Sequence, residues 1–161
     1  EQLSARKRKQ TFPKTDSISI ESHQQPSDKY SEGTKVNVNI ADTIELKKIP
    51  GIGSVIARNI VAYRQRLGGF YDLEQLLEVR FFTPELLEWF ALGDTLVNQL
   101  RVNRESLDKL RAHPYLNFYQ AKIIVEHRKK RGEIKSLSQL SLYEEFTEKD
   151  LERIAVYFSF D

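Results

Sequence analysis

Beyond Val36 the apolar residues recur at spacings of three and four, interrupted by Pro, Gly and capping residues, a texture that predicts short amphipathic helices. Asp42 followed by Glu45 reads as a capping box, and Ile44, Leu46 and Ile49 then form an apolar stripe that Pro50 stops. A longer helix is expected from about Ser54 to Arg66, with Val55, Ile56, Ile60 and Tyr63 at helical spacing and Gly68-Gly69 behind it. Asp72 caps a third helix through Leu73, Leu76 and Leu77. Thr83-Pro84 opens a fourth, since proline at the first helical position has no amide to lose. Residues 1–35 lack this period: Leu3, Phe12, Ile18, Ile20 and Tyr30 stand isolated among Ser, Gln, Pro and charges. Such a segment buries too little surface to offset its ordering entropy, so a flexible tail or linker is expected there.

The same plan returns 64 residues later: 17 of the 54 gapless positions from 38 to 91 are identical to their counterparts at 102 to 155. Val38-Asn39 recurs as Val102-Asn103, Pro50 as Pro114, Ala57 as Ala121, Arg64 as Arg128 and Gly68 as Gly132. In the second copy Ser106 caps Leu107 and Leu110, and His113-Pro114 breaks the helix. A long helix then runs from about Phe118 to Arg131, Gly132 stops it, and Ser136 and Thr147 are later caps. The chain therefore reads as all-α, with tandem units at 36–99 and 100–161 behind a tail at 1–35. The stretches VNVN, TLVN and LRVN are expected to be extended, either pairing or simply packing.

Composition narrows the function. At 161 residues and 40% hydrophobic, the chain can fill one ordinary core or two small ones. Its 25 Lys+Arg against 23 Asp+Glu leave only +2, which excludes a polybasic chain; any nucleic-acid contact must rest on local geometry. The absence of Cys excludes disulfides, thiol catalysis and cysteine zinc sites, and His23, His113 and His127 are too scattered for a metal set. No cofactor or metal is expected. No Ser/His/Asp arrangement or carboxylate pair sits at a glycine turn, so no enzymatic activity is expected either. The sequence starts at Glu1 and holds no Met, which reads as a fragment or mature form lacking an upstream segment. Arg6-Lys7-Arg8-Lys9 is either a solvated run or an attachment to phosphate or an anionic membrane surface, at a juxtamembrane position.

Pro50-Gly51-Ile52-Gly53-Ser54 carries the chemistry. Proline stops one helix, two glycines bring bare main chain to the surface, Ile52 can turn inward, and the next helix offers unpaired amides suited to a phosphate oxygen. Such contacts ignore base identity. The alternative is a tight helix–helix turn without a ligand.

The string from Val36 to Val79 resembles the helix-hairpin-helix module of ComEA-like competence and DNA-uptake proteins. The resemblance rests on Asn39, Glu45-Leu46, Pro50-Gly51-Ile52-Gly53, Ala57, Ile60, Tyr63-Arg64, Gly68, Phe70 and Leu73. Through the repeat it extends to the second unit, as in tandem envelope proteins of this type. It implies bundles of short helices and double-stranded DNA held near the minor groove by the amides of Gly51 to Val55. Pro50, Gly51, Ile52, Gly53, Ser54 and Val55 would form that site, with Lys47, Lys48 and Arg58 in support. It further implies a bacterial envelope location on the extracytoplasmic side, with a cytoplasmic location as the alternative, an upstream membrane anchor, a role in DNA uptake or competence, and no catalysis. The pattern is departed from at Val79-Arg80-Phe81-Phe82-Thr83, at His113-Pro114-Tyr115-Leu116-Asn117 and at Tyr143-Glu144-Glu145-Phe146-Thr147. Tyr115 at the place of Gly51 would block a phosphate and Glu144-Glu145 would repel one, so these three hairpins read as scaffold or as surfaces for something else.

By segment, residues 1–35 carry +2, 36–99 carry −2 and 100–161 carry +2, so the unit with the glycine hairpin is the acidic one. That opposes tight DNA binding. Lys122, Arg128, Lys129, Lys130 and Arg131 form a second basic patch, or else complement the C-terminal dipole of their helix. The aromatic residues, Phe81 among them, could serve as stacking platforms for single strands but mostly fall at core spacing, and His127, in the place of Tyr63, reads as a packing residue. The competing function is an envelope scaffold or protein-interaction module built on a degenerated DNA-binding fold.

Overall fold

A computed structural model describes residues 28–94 and 96–161. Asp42 accepts the amides of Ile44 (2.9 Å) and Glu45 (2.8 Å) and starts α1, Thr43–Lys47. Leu46 and Ile49 are fully buried, whereas Ile44, expected on the same stripe, is 65% exposed. Ile44 and Leu46 lie about 200° apart around a helix, and so short a helix can bury only one of them. α2 spans Ser54–Leu67 and buries Ala57, Ile60 and Leu67, while Val55 faces solvent. The last two helices of unit 1 are tight 3-10 helices, η1 (Leu73–Glu78) and η2 (Pro84–Trp89). Asp72 caps the first in a capping box with Gln75; Thr83 makes no side-chain cap for the second.

Unit 2 repeats the order as α3 (Leu107–Ala112), α4 (Phe118–Arg131), α5 (Leu137–Leu140) and α6 (Glu148–Ile154), followed by a 3-10 turn, η3, at Ala155–Tyr157. Ser106 and Thr147 cap as expected, and Ser136 does not. Two of the three extended stretches pair. β1 (Val36–Asn37) runs parallel to β2 (Phe90–Ala91), and β3 (Leu100–Arg101) runs parallel to β4 (Phe158–Ser159), so each unit ties its first residues to its last. In the third stretch Val97 and Asn98 instead lie against the end of α2, where the Asn98 amide donates to the Gly68 carbonyl at 2.7 Å.

The repeated identities are the bolts of the fold. Arg64 donates to the carbonyls of Val38 and Ala41, both at 2.7 Å, and Arg128 donates to those of Val102 (2.8 Å) and Glu105 (2.7 Å). Asn39 exchanges hydrogen bonds with Phe70, and Asn103 does the same with Ile134, all at 2.8 Å. Each pair holds the segment that follows the entry strand of its unit to the long helix or to the loop behind it.

The flexible segment expected over 1–35 does not extend to residue 35. The Tyr30 amide donates to the Lys48 carbonyl at 2.8 Å, and the Lys35 ammonium bonds the Glu88 carbonyl, so residues near the end of that segment dock on unit 1. Arg6-Lys7-Arg8-Lys9 and the rest of the segment through residue 27 lie outside the described residues. Among the described residues no helix is long and apolar enough to cross a membrane.

The units are joined through the hairpin of unit 2. Tyr115 and Tyr157 are buried, and both hydroxyls meet the Gln75 amide nitrogen, at 2.8 and 2.9 Å. The Tyr157 hydroxyl also reaches the Gly69 carbonyl at 2.8 Å. The Tyr115 amide donates to His113 Nδ1 at 3.1 Å, which leaves Nε2 to carry the proton given to the Leu67 carbonyl at 2.9 Å. Burial accordingly pushes the His113 pKa down to about 4, with Arg66 adding to the fall and the Leu67 bond opposing it. At the rim, Arg153 lies 3.8 Å over the Tyr115 ring and pairs with Glu78 at 3.1 Å.

Candidate nucleic-acid interface

The glycine hairpin is built by what flanks it. Ile49 and Ile52 are buried and joined by a 3.1 Å amide–carbonyl bond, so the turn is pegged from inside while Pro50, Gly51 and Gly53 remain exposed. Gly51 has φ +86°, and a Cβ there would come 3.2 Å from Leu86 on η2, so both conformation and space favour glycine. Gly53 is different. Its φ of −96° is open to any residue and a Cβ would meet nothing within 4 Å. As the N-cap of α2 it offers no side chain to the first-turn amides, which face outward beside exposed Ser54 and Val55.

Cations surround this end without converging on it. Lys47 and Arg58 are exposed, and Lys48 is half-buried with its ammonium 6.0 Å from the Tyr30 ring centre. Lys29, within the segment expected to be a tail, donates to the carbonyls of Lys47 and Ile49 and so sits at the hairpin. Tyr30, an isolated apolar point in the same segment, was the available sign that docking begins there.

Unit 2 treats the equivalent positions in the opposite way. Asn117 stands where Gly53 does and accepts the Gln120 amide at 2.9 Å, while the Gln120 side chain accepts the Asn117 amide at 3.0 Å. The helix end is thus closed by its own residues. Tyr115, expected to screen a phosphate site, is instead buried between the units. The second basic patch also divides. Arg128 is spent on the Val102 and Glu105 carbonyls, and Lys122 and Lys130 both approach Glu126 at 3.7 Å. Lys129 and Arg131 are exposed. His127 is buried and bonds the Tyr143 hydroxyl at 2.8 Å, a packing role.

A model of the helix-hairpin-helix motif matches residues 31–91 and again 97–159. The chain belongs to the helix-hairpin-helix family. An uncharacterized protein of Haemophilus influenzae is 44% identical over 55 residues, 34% of this chain and 49% of that protein. Endonuclease/exonuclease/phosphatase family domain-containing protein 1 of Xenopus laevis is 26% identical over 145 residues, covering 74% of this chain but 26% of its own length. Its human counterpart is 43% identical over 42 residues, 26% of this chain and 7% of that one. The chain thus spans about half of the first relative and about a quarter of the second. No solved structure gives a significant match. Within this helix-hairpin-helix pair, unit 1 keeps an open glycine hairpin and unit 2 has turned its hairpin inward.

Proposed function

We infer that the chain is a non-catalytic module that holds double-stranded DNA by its phosphates, without sequence preference, through unit 1. Gly53 carries this reading. The fold does not require glycine there, since its torsions are ordinary and unit 2 gains a cap from Asn117 at the same place. A side chain at that position would occupy the amides that a phosphate oxygen would take. Pro50 and Ile52 shape the turn, Ser54 and Val55 supply amides with Gly51 and Gly53, and Lys47, Lys48 and Arg58 add attraction. With unit 1 at −2, affinity belongs in the non-specific range of roughly 10⁻⁴ to 10⁻⁶ M.

Anisotropy titration of a labelled duplex tests this. Neutralisation of three phosphates, one each by Lys47, Lys48 and Arg58, predicts about a 40-fold loss of affinity between about 50 and 200 mM salt. Absence of binding at the lower salt would overturn the reading. In that event the −2 balance of unit 1 favours the alternative, an envelope scaffold that binds protein partners.

The setting we attach to the DNA reading is uptake or competence at the extracytoplasmic face of a bacterial envelope, behind an upstream anchor. Its support is the likeness of residues 36–79 to competence-type modules, and loss of labelled-DNA uptake on gene deletion is the expected result. A second setting is favoured by the frog relative, whose match spans 74% of the chain and so reaches into both units. There the module would present DNA to an endonuclease/exonuclease/phosphatase family domain elsewhere in a longer protein. Phosphodiester cleavage by the full-length protein, weakened by loss of the Gly51–Gly53 hairpin, would select it.

A further inference from the structure

The second turn of unit 1, Val79-Arg80-Phe81-Phe82-Thr83, lacks the two glycines of the first. Val79 and Phe82 point inward, 3% and 8% exposed, and the Phe82 amide closes the turn on the Val79 carbonyl at 3.1 Å. Phe82 packs on Phe90 with ring centres 5.8 Å apart. Between these two pegs Arg80 and Phe81 are thrust out. Phe81 is 58% exposed and, at φ +67°, is the one non-glycine residue in the left-handed region among the described residues. A bulky L-residue avoids that region. The Arg80 guanidinium lies 4.6 Å from the Phe81 ring centre. The fold does not ask for an aromatic here, because the matching positions of unit 2 are Glu144 and Glu145.

This turn adjoins the glycine hairpin. Asn59, one residue beyond Arg58 on α2, donates to the Arg80 carbonyl at 3.0 Å. Leu86, on the helix that follows the second turn, lies against Gly51. Each turn is thus braced by the helix that begins at the other, and both emerge at one end of unit 1.

We propose that Phe81, with Arg80, stacks on an unpaired base, so that the preferred ligand is DNA in which a duplex adjoins an unstacked base, as at a gap or a single-strand junction. The proposal rests on the phosphate reading of Gly51 to Val55. A ring beside a planar cation is the equipment for binding a base face, and it offers little to a phosphate. Continuous duplex hides its base faces, and a gap uncovers them next to phosphates the hairpin can hold. The single projecting ring, flanked by Arg80 and Thr83, falls well short of the broad apolar patch a protein partner would bury.

The test compares two duplexes of one length and sequence, one continuous and one with a central single-nucleotide gap flanked by 2-aminopurine. The gapped duplex should bind about tenfold tighter, with the fluorescence of the flanking base quenched. Phe81→Gly, which relieves the backbone, should abolish that preference while leaving the affinity for continuous duplex unchanged. Phe81→Trp should retain it. Equal affinity of the wild type for both duplexes, or an undiminished preference in Phe81→Gly, would overturn the stacking proposal alone. Failure to bind either duplex at low salt would overturn the phosphate reading with it.

Discussion

Unit 1 and unit 2 begin their long helices from the same turn, yet one turn faces solvent and the other holds the molecule together. Gly51 and Gly53 leave main chain exposed, whereas Tyr115 and Asn117 fill the same two places with a buried ring and a closed capping box. The difference teaches that in a tandem repeat one copy can leave a helix end open to solvent while the other supplies the cohesion. The glycines of unit 1 give up a cap and some backbone order. The aromatic and histidine side chains of unit 2 supply packing that binds both copies into one hydrophobic cluster.

The sharpest way to break this contrast is to make unit 2 resemble unit 1. Tyr115→Gly should cost about 3–5 kcal/mol in a denaturant titration, the scale of losing a buried aromatic. It should add no DNA affinity, because Asn117 still closes the amides of α4. A gain in binding would show that the ring, not the cap, keeps unit 2 silent.

Acid should loosen the interface next. His113 is neutral in the folded protein, with its pKa depressed from 6.5 to about 4, so the unfolded chain binds a proton across that window that the folded one refuses. Stability from this group is full above pH 6.5 and falls as pH drops toward 4, by up to about 3 kcal/mol. Carboxylates titrate there too, so the expected signature is a shallower pH slope in His113→Asn than in wild type.

The smallest change in stability should come from the reverse graft. Gly53→Asn should alter unfolding free energy by only a few tenths of a kcal/mol in the stabilising direction. The same substitution should lower duplex affinity about tenfold, since the new cap competes for amides the phosphate would use. Unchanged affinity would place the contact elsewhere.

Much of this was legible in advance where it depended on near neighbours. The repeat, the capping roles of Asp42, Asp72, Ser106 and Thr147, the end of α4 and the inward turn of Ile52 all follow from residues within a few positions of each other. Ile44 misled because a helix of little more than one turn buries a single side, and Val55 because the first turn of α2 emerges at the open hairpin. Arg128 misled because a charge run shows no sign of the carbonyls that one member will clamp. Phe81 was grouped with core aromatics, and only its torsion and exposure set it apart.

By itself, then, the sequence determined the helical units, their tandem order and the glycine turn, because periodicity, caps and φ restrictions act over a few residues. Tertiary structure alone decided that Tyr115 and His113 join the units, and that Lys29 and Phe81 flank the open hairpin. Those outcomes hang on partners such as Gln75 with Tyr157, 82 residues apart, which only the packed core brings within hydrogen-bond reach.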